Sequence, residues 1–320
     1  MLKKLLTQSW MLVLLAALGF QTASAQSFWT ETFGSAAAFS TWTSANGGTG
    51  TVQWVRSTNP AVNMGFQTAP KPFSAPTAAN GFAFFNSDLN GENPHIATLT
   101  TNGSINCTGQ ANVRLRLHSQ YAPFNEAAVA EVGVSTNGGT SWTYYPVLTD
   151  IPPFPFEAGS FVAQDLVSEV SLPAANNQAT VWLQFRWTGN YEYGWKLDDL
   201  ELFNYVAPKA DVTFKVNLSS VTPSPEGARL AGTFNGFSDD LMTNEGNGVW
   251  SITKSLSVGD TIRYKFKNGS GGWEPGQSAC GVNDGFGGYN RIFVVKGNVV
   301  LPTVCWNSCS DCVVPCAQNP

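Results

Sequence analysis

The 320-residue sequence predicts an all-β protein built from two successive β-sandwich modules. Three observations carry that prediction. Short apolar runs alternate with a period of two and are broken by Gly, Asn and Pro, the pattern of half-buried strands between turns. No stretch beyond the N-terminal leader shows the periodicity of an amphipathic helix. With the leader set aside, about 295 residues remain, more than one core ordinarily organises, so two domains follow.

The leader comes first. Lys3 and Lys4 precede the apolar run "MLVLLAALGF", and small residues, "ASA", stand before Gln26. This is the layout of a secretory signal over residues 1–25. No later run reaches the ~20 apolar residues a membrane span needs, so the product is expected to be secreted, extracellular or on the outer cell surface, with no membrane span. Losing Lys3 and Lys4 from 17 basic residues against 22 acidic ones moves the formal charge from −5 to −7. That balance argues against nucleic acid, whose phosphates reward clustered Lys and Arg.

In the first module, residues 26–205, "VRLRLHSQY" sends Val113, Leu115 and Leu117 to one face and Arg114, Arg116 and His118 to the other. "TVWLQFRWTG" groups Val181, Leu183, Phe185 and Trp187 in the same way. "STNGGTSW" reads as an Asn-Gly hairpin turn, because both residues tolerate positive φ. "DIPPFPFEAG", with three prolines, reads as a long loop. A short linker, 206–210, includes Pro208.

The second module, 211–305, begins at "DVTFKVNL" and continues through "ARLAGTF", "GVWSITKSL", "TIRYKFKN", "YNRIFVV" and "NVVLPTV", six or seven strands. On "TIRYKFK", Ile262, Tyr264 and Phe266 face the core, so Arg263, Lys265 and Lys267 face outward and Lys265 is expected to be exposed. Five of the six Cys fall after residue 279, counting the Cys-rich tail, 306–320. In an exported chain they read as disulfides rather than a zinc site, and no His lies near them. Cys107 stands alone and reads as free and buried.

One feature of this module asks for a ligand. Trp273 lies in "NGSGGWEPG", where glycines offer no packing partners. A sugar ring presents an apolar C–H face that stacks on indole and leaves its hydroxyls for nearby amides and ammonium groups. The opposing reading is a Trp folded back as a hydrophobic plug, with Lys265 on a plain solvated face.

The motifs also resemble known families. In the first module, "ETFG" with "FSTWT", "VGVSTNGGTSWTYY" and "YGWKLDDLELF" resemble the jelly-roll domains of the MAM-like and cleaved-adhesin type. That resemblance implies a jelly-roll sandwich and a structural Ca²⁺ held by carboxylates, matched here by Glu31 with Asp198 or Asp199. Adjacent residues of a strand point to opposite faces, so only one of the two aspartates is expected to ligate; simple solvation of a strand end is the other reading.

Residues 210–304 resemble the family-20 starch-binding carbohydrate modules, an Ig-like sandwich. The resemblance implies a glucan platform of Phe237, Lys265, Trp273 and Asn290, with Glu274 beside them. The sequence departs from the pattern twice: Phe237 stands where strong binders carry Trp, and "PGQSACGVNDGFGGY" separates the "WE" and "NR" motifs. That insertion would enlarge the site, lid it with Phe286 and Tyr289, or abolish it, and Cys280 is expected to tie it to the "CWNSC" segment.

Catalysis finds little support. His95 and His118 are the only histidines, and neither lies in a nucleophile or metal motif. The expectation is therefore a non-catalytic, secreted carbohydrate-binding protein that binds α-glucan or a related polysaccharide or glycan and requires no cofactor beyond a structural Ca²⁺. The alternatives are a structural or adhesive module that binds cell-surface proteins, and an accessory piece of a larger exported hydrolase. The module pairing resembles cargo of the type IX secretion route, whose usual sorting domain is missing, so the chain reads as a piece of a longer one.

Overall fold

The computed structural model describes residues 26–65, 71–124, 128–152, 164–310 and 312. It is all-β, as expected. The predicted signal, the "DIPPFPFEAG" loop beyond Pro152 and the last residues of the Cys-rich tail lie outside the described residues. Two compact units divide at Val206 and Ala207.

The first unit contains strands β1 (Gln26–Glu31), β2 (Trp42–Gly48), β3 (Val55–Ser57), β4 (Phe82–Asn86), β5 (His95–Thr101), β6 (Val113–Ala122), β7 (Val129–Ser135), β8 (Thr143–Val147), β9 (Gln164–Ser171), β10 (Trp182–Gly189) and β11 (Gly194–Asn204). One sheet runs β3-β4-β11-β6-β9, with β1 also on β11; the other runs β2-β5-β10-β7-β8. The alternating residues predicted to be internal are internal: Val113, Leu115, Leu117, Val181, Leu183, Phe185 and Trp187 are fully buried in one core, which Trp195 joins. Trp195 sits among Trp54, Tyr121, Phe185 and Trp187, with ring centres 5.6–6.4 Å away. The Asn-Gly turn closes β7 and β8 with Gly138 and Gly139 at positive φ, and Asn137 Oδ1 accepts from the Ser141 N–H at 3.0 Å. One helix of four residues, Ala36–Phe39, escapes the sequence reading because it is too short to show a period.

The second unit contains β12 (Lys209–Asn217), β13 (Ala228–Gly232), β14 (Asp240–Leu241), β15 (Thr243–Gly246), β16 (Val249–Ser257), β17 (Thr261–Asn268), β18 (Gly272–Trp273), β19 (Gly281–Asn283), β20 (Tyr289–Val294), β21 (Val299–Val300) and β22 (Val304–Cys305). One sheet runs β15-β16-β12-β21, with β22 also parallel to β12; the other runs β14-β13-β17-β20-β19, with β18 on β17. Val212, Phe214, Val216, Leu230, Ile262, Tyr264 and Phe266 form the core between them. The insertion after Trp273 builds β19, which pairs with β20 as a hairpin. Cys280, at its base, is bonded to Cys309, and Cys305 to Cys312. Cys107 is free and buried, and burial pushes its thiol up to about 11.

Candidate functional site

The β17 strand positions the site. It pairs with β13 along one edge, and along the other with β20 at its start and β18 at its end. Trp273 is the cross-strand partner of Lys267, so the pleat puts its indole on the same face as Lys265 and Lys267, away from the core. Asn290 reaches this face from β20. Phe237 arrives from the loop after β13 with φ of 60°, a left-handed backbone that a bulky residue adopts only when its surroundings hold it there. The surrounding turn, in which the Phe237 N–H donates to the Gly232 carbonyl at 2.8 Å, supplies that hold.

Phe237, Lys265, Trp273, Glu274 and Asn290 all line one cleft of about 560 Å³, within the usual size range of small-molecule sites. The insertion supplies the remaining wall, including Asp284, Phe286 and Gly288, while Tyr289 is not among the lining residues. The insertion therefore adds to the cleft rather than filling it. Trp273 keeps 44% of its surface exposed, which rules out the plug reading, and the Lys267 ammonium lies 4.3 Å from its ring centre.

Two expectations need correction. Lys265 is 6% exposed, not solvated: its ammonium lies 2.5 Å from Asp284 Oδ2. Lys267 is 5% exposed, with its ammonium 2.5 Å from Asp239 Oδ1. The outward face of β17 is covered by the loops that carry these two aspartates. Glu274 borders the cleft, but its carboxylate is fully buried. Glu274 directly follows Trp273, the last residue of β18, and turns to the other side; it accepts from Arg291 Nε and Nη2 at 2.9 and 2.8 Å and from the Phe266 N–H at 2.9 Å. Glu274 braces the platform from behind.

Asp284 was missed by sequence reasoning, although its place in the turn motif "NDGFGG", directly before Gly285, was a signal. The Lys265 ammonium and the N–H groups of Phe286 and Gly288 hold its carboxyl well below the usual range, at about 2. Asn290, 8% exposed, presents a carboxamide at the cleft. The site thus combines aromatic walls with an amide and a charge-paired floor, the mixture that receives a ring with one apolar face and peripheral hydroxyls.

In the first unit, β11 leaves β4 and joins β1 at an irregularity between Asp198 and Glu201, where Asp199 has φ of 46°. The bulge overturns the expectation that the two aspartates diverge. Thr77 Oγ1 lies 3.0 Å from Asp198 Oδ2 and 2.8 Å from Asp199 Oδ1, so both carboxylates converge on one hydroxyl. Burial pushes Asp198 up to about 7, and repulsion from Asp199 and Glu31 adds to it. Asp198 Oδ1 is buried without a partner, which suits a cation. Glu31 is engaged otherwise: its oxygens accept from the Phe33 N–H at 2.6 Å and Trp42 Nε1 at 3.1 Å. Among the described residues no group of three or more His, Cys, Asp or Glu is arranged to hold a metal ion. The fit is therefore to a pair of aspartates with Thr77, not to a three-carboxylate set.

His95 Nε2 lies 2.8 Å from Ser87 Oγ, and its Nδ1 lies 2.8 Å from the Asn93 carbonyl. Both residues are buried, at 2% and 0% exposure, and burial lowers the His95 pKa. This pair is closed to substrate and ties β5 to the turn after β4.

No family model matches the chain. A stretch of 142 residues is 31% identical to an alpha-amylase of Niallia circulans, covering 42% of this chain and 11% of that enzyme, so the chain spans about a tenth of the length of the curated relative it matches. Similar solved structures include the K3 cleaved adhesin domain of Lys-gingipain from Porphyromonas gingivalis, at 16% identity over 56% of this chain and 99% of that one, with a TM-score of 0.36. Another is the family 11 carbohydrate-binding module of the cellulase Lic26A-Cel5E of Clostridium thermocellum, at 8% identity over 58% of this chain and 96% of that one, with a TM-score of 0.34.

Proposed function

We propose that the second unit is a non-catalytic carbohydrate-binding module that takes an α-glucan or a related glycan in the cleft beside Trp273, in a protein exported from the cell. The carrying observation is convergence. Residues separated by as many as 53 positions, Phe237 to Asn290, meet in one cleft beside an indole that stays half-exposed. Stacking falls to Trp273 and Phe237, and hydroxyl hydrogen bonds to Asn290 and to the remaining protons of the Lys265 ammonium. The likeness to an alpha-amylase supports the same substrate class.

Binding rather than hydrolysis in this cleft is supported by the two acids that line it. A glycosidase needs one carboxyl kept protonated near neutrality, opposite a second. Asp284 is held in the ionised state by Lys265, and Glu274 is locked to Arg291. Export is supported by the two disulfides and by the leader; among the described residues no helix is long and apolar enough to cross a membrane.

Affinity electrophoresis of the chain from Gln26 onward tests the reading. Mobility should fall in gels containing soluble starch, and Trp273→Ala should restore it while leaving the melting temperature unchanged. Unaltered wild-type mobility on starch, glycogen and a glycan panel would leave an adhesive or scaffold role instead.

We also infer a structural cation, calcium by its preference for oxygen, at Asp198, Asp199 and neighbouring carbonyls. Its contribution would be to cancel the repulsion between the converging carboxylates. A chelator should lower the melting temperature of the first unit and added calcium should restore it; a transition that ignores both removes the ion.

A further inference from the structure

The Phe286 side chain buries almost none of its surface. It stands at the turn between β19 and β20 and is 96% exposed, more than any other large apolar side chain among the described residues. A phenyl ring left in water forfeits the gain that burial would bring. Yet the backbone beneath it is firmly held. Asp284 Oδ1 accepts from the Phe286 and Gly288 N–H groups at 2.7 and 2.9 Å, and the Asp284 N–H donates to the Gly288 carbonyl at 3.0 Å. Asp284 Oδ2 is in turn fixed by Lys265, from the floor of the cleft. At the foot of the hairpin, Cys280 is bonded to Cys309.

The ring is thus carried on an ordered turn at the wall of the same cleft that Trp273 borders. A ligand that covers it recovers apolar burial and orders only the side chain, because the loop is already set. We propose that Phe286 is a third sugar-stacking residue of this cleft, positioned by the Lys265–Asp284 ion pair, so that the site grips a gluco-oligosaccharide from a wall as well as from the Trp273 platform. The assignment rests on the reading of the cleft as a glycan site. Lys265 then acts twice, since by holding Asp284 it also sets where the insertion presents its ring.

Titration calorimetry of the chain from Gln26 onward with maltoheptaose tests the assignment. Phe286→Ala should weaken binding about five- to tenfold at an unchanged melting temperature, and Phe286→Tyr should stay within about twofold of wild type. Asp284→Asn should weaken binding by a similar factor. The double variant Asp284→Asn with Phe286→Ala should lose no more than either single one, because the aspartate acts through the ring. If Phe286→Ala binds like wild type while Trp273→Ala loses binding, this assignment fails and the cleft reading survives. Additive losses in the double variant overturn the positioning role of Asp284. A wild-type chain that fails to bind maltoheptaose removes both the glucan reading and the assignment.

Discussion

Lys196 shows how one buried side chain carries a measurable cost. It lies fully buried on β11 between Phe84 and Gln120, with its ammonium donating to the Pro60 carbonyl at 3.1 Å. Burial holds it down at about 8, against a partial restoring pull from Asp165. The folded state therefore binds fewer protons than the unfolded chain between about pH 8 and the ordinary lysine value of 10.5. Stability contributed at this position rises with pH across that window, and the full penalty applies below it. Lys196→Met should accordingly stabilise the first unit at pH 7 by about 1–3 kcal/mol, a gain that shrinks toward pH 10.5. Thermal melts of both proteins at pH 7 and pH 10 would show it, and a pH-independent difference would exclude the ionisation account.

The insertion hairpin is the element on which the cleft depends. It is tightly packed at Gly288, where an added Cβ would stand 2.6 Å from the Pro275 carbonyl oxygen and 2.8 Å from both Lys265 Nζ and Asp284 Oδ2. The backbone oxygen cannot yield, so Gly288→Ala must push the hairpin outward and wedge the ion pair. Starch affinity should fall about tenfold and the second unit should lose about 1–3 kcal/mol in urea denaturation. Retained affinity with reduced stability would mean that the hairpin supports the fold without shaping the site. The bulge in β11 is a comparable device in the first unit: one irregular step turns two neighbouring aspartates toward the same hydroxyl.

At the scale of the molecule, each unit has its own core, one centred on Trp195 and Trp187 and the other on Phe214 and Phe266. Both disulfides described lie in the second unit. Calorimetry under a reductant should therefore lower one transition and leave the other in place. Opening Cys280–Cys309, which closes a separation of 29 residues, should cost the second unit about 3–4 kcal/mol on the chain-entropy account. A reductant that lowers both transitions equally would show that the two cores do not unfold separately.

Much of this was legible in the chain because the β period is a local property. Alternation in "VRLRLHSQY", "TVWLQFRWTG" and "TIRYKFK" was enough to assign sides, and the half-exposed state of Trp273 followed from its glycine-rich surroundings. The same period, applied one residue further, would have turned Glu274 away from the platform. The sequence by itself determined two all-β units and the inner face of each major strand, and its resemblance to the starch-binding modules pointed to five of the residues that line the cleft beside Trp273. Only the tertiary structure decided that Lys265 is buried against Asp284, that Asp198 and Asp199 converge, and that the insertion walls the cleft instead of filling it. The physical reason is that periodicity fixes which side of a sheet a residue takes, whereas its charge partner and exposure depend on distant loops and on single backbone steps that depart from the period.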